Sequence, residues 1–226
     1  MTYDHIRPAV FLRRPNRFVA HIVVDGAEAV CHVKNTGRCR ELLTPGADIF
    51  VRHCPAPGRK TAWDLIAVRK GGLLINMDAQ APNAVFGEWL RGGGLGPAPT
   101  LVRPEYTHGD SRFDFYFEAA GRAAFAEVKG VTLEEEGVAR FPDAPTERGV
   151  KHLRGLTRAV SEGYDAYAVF IIQMTGVYRF EPNWRTHPAF GEALRAAREA
   201  GVRVLALDCA VTESTLTVRA PVEISL

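Results

Sequence analysis

The chain has 226 residues, of which 46% are hydrophobic and 24% charged, and its formal net charge at pH 7 is +2. Such a composition is that of an ordinary globular protein with room for one large domain or two small ones. The mild net charge does not by itself indicate a nucleic-acid partner, and no apolar run is long enough to span a membrane.

Targeting and cysteine usage favour a cytoplasmic protein. Residues 1–25 contain four arginines and no continuous apolar segment, so we expect no signal peptide. Four cysteines (Cys31, Cys39, Cys54 and Cys209) show no CxxC spacing. Adjacent Cys and His residues in a strand point to opposite faces, so we expect reduced, packed thiols and no zinc site.

The first part of the chain is predicted to be all-β. Five segments either alternate apolar and polar residues or lie between turn signals such as Asp25-Gly26 and Gly71-Gly72. They are residues 18–24, 29–33, 49–53, 63–68 and 73–76. Five short strands favour an OB-fold barrel over residues 1–82, with an SH3-like barrel as the alternative.

A basic loop follows the second of these strands. Lys34, Arg38 and Arg40 lie among small polar residues there, and such a loop is suited to holding phosphates. The alternative is a connecting turn with an exposed charged face.

A boundary is predicted near residue 83. Pro82-Asn83 is a helix-start signal, residues 84–91 form a short helix, and the glycine run 92–94 ends it. Glu88 on this helix is either a surface charge or a carboxylate that faces the next segment and supports a metal. The second domain is predicted over residues 83–226.

A β-hairpin is predicted over residues 112–129. Phe113, Phe115 and Phe117 alternate with polar residues, and Ala120-Gly121 is suited to a two-residue turn. In that register the numbers of opposed residues sum to 241, so that Asp114 faces Glu127.

Directly opposed residues share a face of the sheet, with Cβ atoms roughly 4.5–5.5 Å apart. Two carboxylates this close repel each other unless a cation lies between them. Mg²⁺ is the obvious candidate, since it prefers carboxylates, water and phosphate oxygens. Lys129 projects from the same face as Glu127, and the pattern D-x₁₂-E-x-K resembles the active-site hairpin of the PD-(D/E)xK nucleases. The alternative is a solvated polar face of the sheet. Glu105, just upstream, either joins these carboxylates or pairs with Arg103 or Arg112.

Residues 130–145 are predicted to be a loop with a solvated acidic run at 134–136, followed by an amphipathic helix over 147–162 with Thr146 as its N-cap. Lys151 and Arg154 belong to a basic helix face that suits a polyanion. His152 is interpreted as a surface or packing residue.

The remainder is predicted to be α/β. The apolar run 166–174 indicates a buried strand, residues 188–200 a helix, 202–207 a parallel strand and 215–219 an edge strand. Antiparallel strands followed by parallel strands are the order found in restriction-endonuclease-like folds.

Six separated phrases together resemble the sugar fermentation stimulation protein family (SfsA). They are RPNRFVA (14–20), NTGR (35–38), LLTPG (42–46), SRFDF (111–115), EVKGVTL (127–133) and FPDAPTERGVKHL (141–153). Gly130 stands where the family pattern usually has serine. The resemblance implies an N-terminal OB-like barrel, a C-terminal nuclease-like domain, DNA binding and a role in regulating sugar metabolism genes.

By the nuclease resemblance, Asp114 and Glu127 would be metal ligands, the carbonyl of Val128 would complete the site, and Lys129 would activate the attacking water. The sequence therefore predicts a DNA-binding protein with an Mg²⁺- or Mn²⁺-dependent phosphodiesterase site. The alternative is a non-catalytic DNA-binding regulator that uses the nuclease fold as a scaffold. The sequence does not assign a role to Asp143.

Overall fold

A closed barrel forms the N-terminal part of the protein. The structure is a computed structural model that describes residues 1–226. Its strands are β1 (Ile6–Asn16), β2 (Val19–Val24), β3 (Ala27–His32), β4 (Asp48–His53), β5 (Trp63–Lys70) and β6 (Leu73–Asn76). They are ordered β3-β2-β1-β4-β5-β6, and β3 also pairs with β5 in parallel, which closes the barrel. This five-stranded closure with a parallel β3–β5 contact is the OB-fold.

The prediction of five strands omitted β1, which lies at the centre of the sheet between β2 and β4. Its alternation is broken because the register with β2 shifts near Arg13, and it contains Pro8 and Pro15. These irregularities hide a strand from a period-two pattern. The strand predicted at 73–76 is therefore an added edge strand and not part of the closed barrel.

The C-terminal part is a mixed α/β structure, as predicted. Its helices are α1 (Ala81–Arg91), α2 (Glu147–Ser161) and α3 (Pro188–Glu199). Its main sheet contains β7 (Leu101–His108), β8 (Ser111–Ala119), β9 (Arg122–Val131), β12 (Asp165–Ile172), β14 (Arg203–Val211) and β15 (Leu216–Pro221). A smaller sheet contains β10 (Leu133–Glu135), β11 (Val138–Phe141), β13 (Arg179–Pro182) and β16 (Glu223–Ile224).

The main sheet has the order β15-β14-β12-β9-β8-β7. Strands β7, β8 and β9 are antiparallel to one another, whereas β9, β12 and β14 run parallel, as predicted. The α2 helix packs on β9 and β12 through Val150, Leu153 and Leu156, which are buried. Its N-cap is Thr146, whose hydroxyl accepts a hydrogen bond from Gly149 N–H at 3.1 Å.

Residues 130–145 are not a loop, because β10 and β11 form an antiparallel hairpin there and β11 pairs in parallel with β13. Nor is the acidic run fully solvated. Glu134 is only 6% exposed, and its carboxylate accepts hydrogen bonds from Lys70 Nζ at 2.7 Å and from Gly137 N–H at 2.6 Å. A charged strand residue thus becomes buried because a lysine of the barrel reaches it.

The barrel and the α/β part share a buried polar contact. Gln173, after β12, donates from Nε2 to Asn76 Oδ1 at 2.9 Å and to the Asp78 carbonyl at 3.1 Å. The backbone N–H of Asn76 donates to the Gln173 carbonyl at 2.9 Å. These buried groups hold β6, the edge strand added to the barrel, against the end of β12, because each would be left unsatisfied if the two parts separated.

All four cysteines are free, and Cys31, Cys39 and Cys209 are buried, as predicted. None of the helices combines the length and apolar character needed to cross a bilayer.

Replacing Glu134 by glutamine should lower the free energy of unfolding by about 1–3 kcal/mol at neutral pH, because the charge-assisted bond from Lys70 is lost. Burial opposes ionisation of Glu134, but the hydrogen bonds from Lys70 and Gly137 outweigh it and lower its pKa. The contribution of Glu134 is therefore present above the pKa of the unfolded chain and lost as pH falls through the lower folded pKa.

Urea unfolding of the wild type and Glu134→Gln over a pH series measures this difference, which should shrink in acid. The matched control is Glu136→Gln, since Glu136 is exposed and forms no ion pair. A difference that stayed constant in acid would contradict the role given to the Lys70 contact.

Candidate active site

The predicted register of the β8–β9 hairpin is confirmed. Phe115 pairs with Ala126 and Ala119 with Arg122, so that the numbers of opposed residues sum to 241. Ala120 and Gly121 form the turn with φ values of 50° and 74°. Two positive φ values are those of a type I′ hairpin turn, whose twist matches that of the flanking strands.

The ladder between β8 and β9 ends immediately before Asp114. The last recorded pair is Phe115–Ala126, and beyond it the Asp114 Oδ2 atom accepts the Val128 N–H at 2.7 Å. A side-chain carboxylate thus takes a backbone donor that the ladder leaves free. The predicted alternation also breaks here, because Phe115 packs on α1 through Phe86, whereas Phe113 packs on Phe125 in the core beneath α2.

Asp114 is held by α1 as well as by the hairpin. Its Oδ1 atom accepts a hydrogen bond from Asn83 Nδ2 at 2.9 Å. Burial and the nearby charge of Glu127 raise the pKa of Asp114, and the bonds from Val128 and Asn83 counteract only part of that rise. The two carboxylates therefore lie close enough to oppose each other's ionisation.

Glu127 is 4% exposed and lies beneath α2. Its Oε1 atom accepts hydrogen bonds from Lys129 Nζ at 2.5 Å and from His152 Nδ1. Burial by itself would raise the pKa of Glu127, but the contacts with His152 and Lys129 outweigh burial and lower it. Glu127 is thus held ionised.

The second carboxylate oxygen of Glu127, Oε2, is buried and has no hydrogen-bond partner. A buried anionic oxygen is costly to leave unsatisfied, so this atom is available to a ligand that supplies positive charge. Lys129 contacts the other oxygen of the same carboxylate, and Asp114, which bonds the Val128 N–H, is near enough for the charge of Glu127 to raise its pKa. Carboxylate and carbonyl oxygens are the donors that Mg²⁺ and Mn²⁺ prefer, so these residues fit a hard divalent cation.

The predicted nucleic-acid-binding residues do not all lie together. Lys34 is turned inward, where its Nζ atom pairs with Asp78 at 3.0 Å and with Asp64 at 3.6 Å, so its charge is neutralised. Arg38 and Arg40 are exposed and line a cavity of about 380 Å³ beside Asp143. They lie at the seam between the barrel and the small sheet.

The two predicted residues of α2 point away from the carboxylates. Lys151 contacts the carbonyl of Asp110 at 3.1 Å, and Arg154 lines a groove between α2 and α3. The basic residue of α2 on the His152 face is Arg148, whose Nε atom lies 3.3 Å from His152 Nε2. Residues four apart share a helix face, whereas residues 151 and 154 lie on other faces.

Three further acidic residues whose roles the sequence leaves open each form a specific contact. Glu88 does not face the hairpin, because its carboxylate pairs with the N-terminal amine at 2.7 Å. Glu105 pairs with Arg112, one of the two predicted alternatives. Asp143 accepts a hydrogen bond from the Arg38 N–H at 3.1 Å and so anchors the basic barrel loop to the α/β part.

Sequence reasoning missed Asn83 and His152 as members of the site. The sequence indicates Asn83 only as a helix-start signal, and His152 only as a surface or packing residue. The spacing of Arg148 and His152 on one face of α2 was the available signal for the histidine. No sequence signal pairs Asn83 with Asp114, because these residues are 31 positions apart and meet through the packing of α1 on the sheet.

Comparison with known families identifies both parts of the chain. Residues 12–77 match the family model described as the SfsA N-terminal OB domain. Residues 80–215 match the model described as the sugar fermentation stimulation protein RE domain. The two matches together extend over most of the chain and follow the barrel and the α/β part.

Individual relatives match over almost the full length. A sugar fermentation stimulation protein homolog of Desulfitobacterium hafniense is 59% identical, with 96% of this chain and 94% of the relative covered. A homolog of Clostridium beijerinckii is 52% identical over all of both chains. The structure of Pyrococcus furiosus SfsA in complex with Ca²⁺ superposes with a TM-score of 0.89 at 28% identity, covering 100% of this chain and 98% of that one.

Proposed function

The chain belongs to the sugar fermentation stimulation protein family, and we propose that it is a divalent-metal-dependent phosphodiesterase that cleaves nucleic acid, with DNA as the expected substrate. The observation that carries this proposal is the unpartnered, buried Oε2 atom of Glu127, a carboxylate whose other oxygen contacts Lys129 and whose charge acts on Asp114. Two carboxylates on neighbouring strands are suited to holding a metal for phosphodiester hydrolysis, and a lysine beside them is suited to stabilising charge on the phosphate.

Asp114, Glu127 and the carbonyl of Val128 would hold the cation, which is Mg²⁺ or Mn²⁺ in this proposal. A cation bound there supplies Lewis-acid activation of the phosphate and of water. The Ca²⁺ complex of the Pyrococcus furiosus relative supports a divalent ion as a ligand in this family.

The residues around the carboxylates would position the reacting groups. Asn83 orients Asp114, and His152 holds one oxygen of Glu127 so that the other faces the site. Lys129 orients the attacking water and stabilises negative charge that develops on the phosphate. Arg148, which is exposed on the His152 face of α2, would contact a phosphate bound near this centre.

Charge distribution supports a polyanionic substrate. Residues 1–82 contain twelve Lys and Arg against seven Asp and Glu, a net charge of +5, whereas residues 83–226 have a net charge of −3. The barrel would therefore attract the phosphate backbone, and the acidic part would carry the metal.

Divalent cations should stabilise the protein through this site. At a free Mn²⁺ concentration about a hundredfold above Kd, the free energy of unfolding should rise by about 2.7 kcal/mol in the wild type. Asp114→Asn should lose this gain, because one charged ligand is removed. Thermal unfolding with and without Mn²⁺ measures the effect, with Asp110→Asn, a surface carboxylate paired with Arg158, as the matched control. An equal gain in Asp114→Asn would contradict the site.

Cleavage should require both Asp114 and Lys129. We expect Asp114→Asn to abolish metal-dependent cleavage of labelled DNA and Lys129→Ala to slow it by about 10²–10³-fold, as when one preorganised stabilising group is removed. Binding of DNA in EDTA should be largely retained in both variants.

The assay compares single-stranded and duplex DNA with Mg²⁺, Mn²⁺ or EDTA, and Asp110→Asn should cleave as the wild type does. Cleavage at equal rates by wild type and variants would exclude this site. Salt-sensitive binding without any cleavage would favour the non-catalytic DNA-binding regulator.

Asn83 should set the affinity for the metal. Removing a group that orients a metal ligand typically weakens binding by about 10–100-fold. Asn83→Ala should show such a loss in a Mn²⁺ titration, while Gln80→Ala, at the exposed N-cap of the same helix and without a side-chain cap bond, should not. Unchanged affinity in Asn83→Ala would show that the Asp114 contact has no part in metal binding.

A further inference from the structure

One end of the barrel presents an exposed aromatic ring with an arginine beside it and two further exposed arginines on a neighbouring loop. Phe18, at the turn between β1 and β2, is 50% exposed, and the guanidinium of Arg17 lies 5.6 Å from its ring centroid. Arg38 and Arg40, in the loop between β3 and β4, are also exposed. None of the three arginines forms an ion pair within the protein.

A single side chain joins these two loops. Arg14 donates to the carbonyl of Arg17 at 2.7 Å and to that of Asn35 at 2.7 Å. It also donates to the carbonyls of Gly37 at 2.9 Å and Arg38 at 3.0 Å. The guanidinium therefore fixes the β1–β2 turn against the β3–β4 loop, so that Phe18 and Arg38 belong to one ordered surface.

This surface is linked through Asp143 to the end of β9, the strand that contains Glu127 and Lys129. Asp143 accepts the Arg38 N–H, and Gly37 lies so close to the Asp143 carboxylate that a Cβ there would displace it. A narrow cleft beside Asp143 is lined by both Asn35 and Gly130, and Gly130 directly follows Lys129. The cavity that contains Arg38 and Arg40 shares Asp143 with this cleft.

We propose that the surface formed by Arg17, Phe18, Arg38 and Arg40 binds a single-stranded polynucleotide and leads it along the Asp143 seam to the carboxylates. This inference rests on the proposed function and deepens it, because it names the strand state of the substrate and the surface that selects it.

Chemistry favours a single strand over a duplex. An exposed aromatic ring gains most from a base whose face is free, and the bases of a duplex are already stacked on one another. Unpaired arginines beside the ring match the phosphates of the same strand. Both contacts come from barrel loops, and the barrel carries the positive net charge of the molecule. The β1–β2 loop, which contains Arg17 and Phe18, is one of the loops with which OB-folds bind oligonucleotides.

Two kinds of variant should weaken binding in different ways. Phe18→Ala should lower the affinity for a labelled single strand about tenfold and leave the salt dependence unchanged, because stacking releases no counterions. Arg38→Ala and Arg40→Ala should each reduce the slope of log K against log salt by about 0.7, the value for one phosphate contact with a single strand.

The experiment is fluorescence anisotropy in EDTA with the Asp114→Asn protein, using oligothymidylate, oligouridylate and a duplex of equal length. The matched controls are Tyr178→Ala, an exposed ring with Arg179 5.5 Å from its centroid, and Arg198→Ala, an exposed arginine at the end of α3. Both controls should bind as the parent does. The DNA and RNA arms distinguish which polynucleotide is preferred.

Arg14→Lys tests the coupling of the two loops. Lysine keeps the charge but cannot hold four carbonyls in a planar fork, so single-strand affinity should fall although no contact residue is changed. Circular dichroism and thermal unfolding would show whether the variant is folded, and Phe18→Ala, at an exposed position, tests the surface independently.

Tighter binding of the duplex than of the single strand, or unchanged affinity in Phe18→Ala, would overturn the inference. Hydrolysis of bis(p-nitrophenyl) phosphate with Mn²⁺ reports on the carboxylates alone, and it should be lost in Asp114→Asn and unaffected by Tyr178→Ala. If the anisotropy changes are as expected but no hydrolysis occurs, the binding surface is supported and the phosphodiesterase proposal is contradicted. If hydrolysis occurs without these anisotropy changes, the phosphodiesterase proposal is supported and the binding surface is contradicted.

Discussion

The contact between the Asp114 carboxylate and the Val128 N–H is the interaction on which the site depends. It ends the β8–β9 ladder at the point where the two carboxylates meet, and it keeps Asp114 close to Glu127 although their charges repel. Such an arrangement is unfavourable in the absence of a cation, and proteins keep unfavourable charge pairs mainly at functional sites. Helices on both faces of the sheet stabilise it, through Asn83 of α1 and His152 of α2.

The relation between the two parts of the chain follows from a few buried polar groups. Gln173 holds the end of the barrel against β12, Lys70 reaches Glu134 in the small sheet, and Asp143 receives the basic loop. Each contact joins a barrel residue to a segment adjoining the carboxylates in sequence or in space. The barrel is thereby held in a fixed position relative to the α/β part that contains the candidate site.

Regular periodicity explains which elements could be predicted from the sequence. The hairpin turn at Ala120-Gly121, the amphipathic α2 and the buried strand β12 follow local patterns, and all three are confirmed. Strand β1 and the β10–β11 hairpin were missed because bulges and prolines break the first, and a charged run conceals the second. The burial of Glu134 could not be predicted either, because it is favourable only through the ion pair with Lys70 of the barrel.

By itself the sequence determined the two parts of the fold, the hairpin register and the Asp, Glu and Lys that lie at its end, because each depends on neighbours along the chain or on one turn. Only the tertiary structure decided which other groups complete the site. Asn83 lies 31 positions from Asp114 and His152 lies 25 positions from Glu127. Only the tertiary structure likewise shows that Lys34 pairs with a buried aspartate and is not free to bind a phosphate. Contacts of this kind depend on how helices and loops pack across the sheet, and a linear pattern carries no direct signal of that packing.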